Sequence, residues 1–184
     1  MSSSRKKVVV RRFSRDWISG FVDPGNLLTG CGSEARLELL DQDGRLSTLP
    51  LSEVKMVSFV REFAPGDSAA NLQNGPEKLL RRTFNVRPRT EGLWLRMTFR
   101  DNDVLEGVAP NDISLLELEG VQVTPPDMRS NTQRIYVPRL ALTALQVLAV
   151  IGAPGTAGRR KAAPTAEEES LDLFTDLPIN SRPN

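Results

Sequence analysis

Leu93-Trp-Leu-Arg-Met-Thr-Phe-Arg100, then Asp101-Asn-Asp103, then Val104-Leu-Glu-Gly107, is the stretch whose reading decides the fold. Leu93, Leu95, Met97 and Phe99 fall on one face of an extended segment, and Trp94, Arg96, Thr98 and Arg100 on the other. Period two is the signature of a half-buried strand. Asp-Asn-Asp supplies a turn, because short polar side chains bond the neighbouring backbone and tolerate left-handed dihedrals. A second strand opens at Val104 and meets Gly107. A similar unit stands near the N-terminus: Lys7 to Phe13, the turn Ser14-Arg-Asp16, and Trp17-Ile-Ser-Gly20. We read the protein as one unit written twice.

Working outward, strands are expected at 7–13, 17–22, 36–40, 45–49 and 55–63 in the first unit. Asp43-Gly44 marks a hairpin turn. Gly20 within a strand marks a bulge or sharp bend. Arg11 and Arg12 suit an edge or a solvated face. Pro50 to Val54 reads as a single helical turn, and Leu27 to Ser33 has no clear assignment. In the second unit, strands are expected at 93–100, from 104, at 112–118, 121–124 and 134–137. The last segment, 140–150, suits either a strand or an amphipathic helix ending at Gly152. Gly20 matches Gly107 at an offset of 87, and Pro50 matches Pro138 at 88; Val54, Val57 and Phe59 match Leu142, Leu145 and Val147 at 88. One inserted residue between the two sets is what loops of a duplicated unit allow.

The expected organisation is a flexible basic lead (1–6), a first small barrel (7–63), a linker (64–91), a second small barrel (92–152) and a disordered tail (153–184). The linker is expected to hold a short helix at 76–82 and an extra strand at 83–86. Each unit has about 60 residues, a size that folds alone only marginally, so the two are expected to pack on each other or on a partner. Within the tail, residues 167–177 are acidic and apolar. Leu171, Phe174 and Leu177 share one face of a short helix that suits a partner's groove.

Composition excludes most catalytic classes. The chain has no histidine, which removes the usual general base and the commonest metal ligand. A single cysteine, Cys31, excludes an intrachain disulfide and a thiolate zinc cluster. Asp101, Asp103, Glu106 and Asp112 fit no calcium-loop spacing and read as turn and solvated face. No cofactor and no metal are expected. The formal charge of +1 exerts no global pull on nucleic acid. Cations gather locally, at Arg5 to Arg15 and at Arg81, Arg82, Arg87 and Arg89. A denser polar group is Asp127, Ser130, Asn131 and Arg134, which suits a small polar ligand but reads better as a loop stitched by its own side chains. No apolar run is long enough to span a bilayer and none forms a secretory signal, so a cytoplasmic location is the default.

Five short strands, a glycine in strand two and a one-turn helix before the last strand resemble the Sm-like/SH3-like small barrel. More narrowly, Phe-Arg-Asp-x-x-Val-Leu-Glu-Gly at 99–107, Pro-x-Asp-x-x-Ser-Asn-x-x-Arg-Ile-Tyr-Val at 125–137 and the ending at 54–63 resemble an uncharacterised bacterial domain of this type, present in tandem. That resemblance implies a mainly β fold of two five-stranded barrels and supplies no catalytic residues. The function expected is a non-enzymatic interaction or assembly module binding protein partners, within a larger complex, with exposed sheet edges, Arg81, Arg82, Arg87 and Arg89, and Leu171, Phe174 and Leu177 as its contacts. The alternative is a phosphate-ligand binder, either RNA or DNA or a cyclic dinucleotide. Aromatics make up only 5% of the chain, and Trp17, Trp94 and Tyr136 are the candidate stacking platforms. Arg81 to Arg89 before Asn111-Asp-Ile-Ser114 is similar to the PilZ type of cyclic-dinucleotide receptor. However, Arg82 and Arg87 are one residue too far apart, and Glu117 stands where that pattern has glycine.

Overall fold

The hairpin read from residues 93–107 forms, with Asn102 at φ 65° in its turn. The computed structural model describes residues 5–63, 82–112, 115, 119–126 and 131–152. These belong to one compact unit, Met1–Pro154. The protein is mainly β. In the first half, β1 (Lys6–Arg12), β2 (Trp17–Val22), β3 (Leu28–Thr29), β4 (Arg36–Leu40), β5 (Leu46–Pro50) and β6 (Val54–Val60) follow in order. The second half holds β7 (Gly92–Phe99), β8 (Val104–Ala109), β9 (Gly120–Val123), β10 (Thr132–Pro138) and β11 (Leu142–Ile151). The segment left open between strand and helix at 140–150 is therefore a strand, preceded by one 3-10 turn at Arg139–Ala141. Alternation along β7 explains the outcome: β11 lies antiparallel beside it from Leu142 opposite Phe99 to Ile151 opposite Gly92.

Pairing is antiparallel throughout. The first half runs in the order β5-β4-β2-β1-β6, with β3 also against β4. The second runs β10-β9-β8-β7-β11, its β9–β8 link being the bridge of Val108 and Thr124, whose backbones exchange bonds of 3.0 and 2.8 Å. The two halves are also joined. β6 pairs with β1 on one side and with β10 on the other, so the larger sheet crosses from one half to the other. Two separate five-stranded barrels are thus not what the described residues form; the sheets are open and one is shared. The expected linker helix lies almost wholly outside the described residues. The strand expected at 83–86 is absent; the Phe84 amide is instead taken by the Glu106 carboxylate of β8. Asp112 is not extended and Leu115 is helical, so the strand expected at 112–118 does not start there.

Other differences have local causes. Arg11 and Arg12 are not on an edge, since β1 lies between β2 and β6, and Arg11 is buried. Pro50 to Val54 is a turn closed by the Glu53 and Val54 amides on the carbonyls of Pro50 and Leu51. The unassigned stretch 27–33 holds β3 and the start of a 3-10 turn at Gly32–Glu34.

Two apolar clusters form the core. The first gathers Val8, Val10, Leu37, Leu39, Val54, Val57 and Phe59, and the second Leu95, Met97, Phe99, Leu105, Val121 and Ile135. The shared seam interleaves them: Tyr136 of β10 enters the first cluster and Met56 of β6 the second. All seven residues of β6 are buried. Tyr136 carries its hydroxyl over Gly120 of β9 with no hydrogen-bond partner among the described residues, and burial pushes its pKa up. A buried unsatisfied hydroxyl is a standing cost, so Tyr136→Phe is expected to be neutral or to stabilise by about 1 kcal/mol in chemical denaturation.

Candidate functional site

Two polar clusters and two strand edges are the features that core packing does not explain. The first cluster is built around Lys55. Its position in β6 is a bulge: Met56 pairs with Arg11 and Val54 with Arg12, leaving Lys55 outside the ladder. Lys55 is 1% exposed and donates to both Asp101 and Asp103 of the β7–β8 turn, with the Phe99 ring 5.0 Å from its ammonium. Asp103 also meets Arg82 at 3.1 Å and Arg11 at 3.9 Å. Burial acts to raise the Asp103 pKa, but the hydrogen bond and charge of Lys55, with Arg82, outweigh it and hold the carboxyl below its ordinary value. The space left among Arg11, Lys55, Arg82 and Asp103 is only about 10 Å³. That is too small to seat a ligand. The cluster ties the turn of the second half to β6.

The second cluster centres on Glu106 in β8, which is 2% exposed. The solvated-face reading of this residue is therefore wrong. Its carboxylate accepts from the Phe84 amide at 3.0 Å, the Trp94 indole Nε1 at 3.2 Å and the Arg96 guanidinium at 3.1 and 2.8 Å. Its own amide donates to the Arg82 carbonyl at 2.7 Å. Burial again acts to raise the pKa, and the Phe84 amide, Arg96 and Trp94 together bring it below the ordinary glutamate value. Phe84 then packs edge-on against Trp94, with centroids 5.8 Å apart. The clamp fixes the chain at 82–84 and leaves no donor-acceptor ladder there for a strand.

The predicted contact residues divide as follows. Arg82 is engaged with Asp103, Arg87 donates to the Val150 carbonyl at 3.3 Å, and Arg89 is exposed; they do not converge. Arg81, Asp127, Ser130, Leu171, Phe174 and Leu177 lie outside the described residues. Asn131 makes a two-way stitch, accepting from the Glu62 amide at 3.1 Å and donating to the Glu62 carbonyl at 2.6 Å, which extends the β6–β10 seam. Arg134 lines a cleft of about 190 Å³ with Glu91, Gln122 and Thr124. Of the stacking candidates, Trp94 is held by Glu106, Arg11 lies 5.4 Å from the Trp17 ring, and Tyr136 is buried.

The remaining feature is apolar. Leu145, Val147 and Val150 on β11 are exposed, with Leu140 just before them and Leu46 on β5. The sequence implies exposed sheet edges as contacts but does not single out this one, because an apolar run reads as core whether or not a neighbour covers it.

These features sit in a chain matched over residues 4–149 by the model of a family of unknown function (DUF6982), and the protein belongs to that family. No curated protein and no solved structure matches the chain. Among the described residues no helix is long and apolar enough to cross a membrane.

Proposed function

We propose that this protein is a non-enzymatic interaction and assembly module made of two copies of one five-stranded β unit, binding protein partners through its outer strand edges. The observation that carries the reading is the set of exposed apolar side chains on β11. Duplication is supported by matched details. The order β5-β4-β2-β1-β6 recurs as β10-β9-β8-β7-β11. A Cβ on Gly20 would lie 2.4 Å from the Leu40 carbonyl and 2.9 Å from Leu39; one on Gly107 would lie 2.7 Å from Val123 and 3.2 Å from the Thr124 carbonyl. Both glycines thus let a strand press on its counterpart neighbour, β2 on β4 and β8 on β9. Lys55 in β6 and Thr143 in β11, 88 residues apart, both stand outside their ladders.

The test is capture of binding partners by the full chain, by a Val147→Lys variant and by a Leu171→Ala/Phe174→Ala/Leu177→Ala variant. A protein partner lost on either change, and retained as salt rises, is the expected result. Recovery of nucleic acid that is shed by about a thousandfold between low and moderate salt would replace this reading with the phosphate-binding one.

A further inference from the structure

We propose that copies of this chain join head to tail, β5 of one molecule pairing antiparallel with β11 of the next. The inference rests on the duplicated-unit reading and names the partner of the open edges as a second copy. Inside the chain, the last strand of the first unit already pairs with the fourth strand of the second. The register is Arg134 with Phe59, Ile135 with Ser58 and Tyr136 with Val57. The corresponding strands at the two ends of the molecule are β5 and β11. Among the described residues, β5 pairs only with β4, and β11 only with β7. One molecule therefore ends in the two complementary halves of a junction it has already made once. Such a contact is heterologous, so it propagates until the rotation closes a ring or continues as a filament.

The offset of 88 that relates Pro50 to Pro138 and Phe59 to Val147 fixes the new register. It sets Leu46 opposite Val147, Ser47 opposite Gln146 and Thr48 opposite Leu145. Leu46 and Val147 are 64% and 58% exposed and meet in this register. Leu145 and Val147 pair with Met97 and Leu95 of β7, both buried in the second core, yet are themselves exposed on the side where the next molecule would lie. In the first half, Tyr136 of β10 covers the matching position. Free edges are normally blunted by lysine or by inward-pointing charge. Neither β5 (Leu-Ser-Thr-Leu-Pro) nor β11 (Leu-Thr-Ala-Leu-Gln-Val-Leu-Ala-Val-Ile) carries a charged residue. Strand β6, whose counterpart is β11, is wholly buried and has β10 beside it.

The test uses the full chain with Cys31, an exposed thiol, replaced by serine. Ser47→Cys and Gln146→Cys are made separately, oxidised alone and as an equal mixture, and native mass is measured on the parent. Expected are a mixed disulfide between position 47 and position 146, a parent larger than a monomer, and little self-linking of either variant. Val147→Lys should weaken association by more than about tenfold, since an unpaired charge enters the seam, without lowering the melting temperature. Self-linking of Gln146→Cys alone would mean that β11 pairs with itself and would overturn the proposal; so would a monomeric parent with no mixed disulfide. If the parent is monomeric yet captures another protein through Val147, self-pairing fails and the interaction-module reading stands. If neither occurs, both fail.

Discussion

Replacing Glu106 by alanine will destabilise the protein by about 3–5 kcal/mol, and replacement by glutamine will cost nearly as much. The reason is the one-sided company the carboxylate keeps. The Phe84 amide, the Trp94 indole and the Arg96 guanidinium are all donors. Alanine leaves the Phe84 and Trp94 N–H groups in a buried site with nothing to accept them. Glutamine offers one oxygen where two are used, and its NH₂ points a donor at donors. Trp94→Phe, by contrast, removes one donor and should cost about 1 kcal/mol. Urea denaturation ranks the three. Because Glu106 also holds Phe84 against Trp94, Glu106→Ala should shift Trp94 fluorescence to the red before global unfolding. An unshifted spectrum with wild-type stability would show that the carboxylate does not organise residues 82–84.

Much of this architecture is legible in the sequence, and what is not has identifiable causes. The strands at 17–22 and 36–40 are found where alternation and turn residues put them, because local periodicity reports the face a residue presents. Periodicity does not report what lies beside a strand in the sheet. So Arg11 and Arg12 read as an edge or a solvated face, although β6 flanks β1 and Arg11 is buried, and the seam between β6 and β10 is invisible in the chain. Lys55 inside Val-Lys-Met-Val-Ser-Phe-Val was a signal in plain sight: a charge in an otherwise apolar strand needs a partner, and Asp101 and Asp103 are it. Glu106 in Val-Leu-Glu-Gly-Val carries the same signal but reads as solvated face, because its donors come from two other segments, Phe84 and the β7 residues Trp94 and Arg96. The exposed apolar edge of β11 was illegible for the opposite reason, since nothing local distinguishes a covered apolar strand from a bare one.

The Lys55 cluster supplies the second large effect, and its sign depends on which partner is removed. Asp101→Asn/Asp103→Asn together should cost about 3–5 kcal/mol, since Lys55 is then left as a buried cation without a counter-charge. The turn itself is kept, because asparagine supports the same side-chain bonds as aspartate. Lys55→Met should cost no more than about 1 kcal/mol. Methionine fills a similar volume, the two carboxylates are one-third or more exposed, and Asp103 keeps Arg82. Adding Lys55→Met to the double asparagine variant should therefore restore most of the lost stability, the non-additivity expected of groups in one ion-pair network. Acid gives an independent reading. Asp103 has a folded pKa below its unfolded one, so its contribution is present above about pH 4 and is lost as pH falls through the folded value. Wild-type stability should fall as pH drops below about 4, and the asparagine variants should fall less steeply. Glu106, depressed for its own reasons, keeps part of the slope in every variant. If the double asparagine variant matches wild type at neutral pH, Lys55 does not depend on these carboxylates, and the cluster is not what ties the β7–β8 turn to β6.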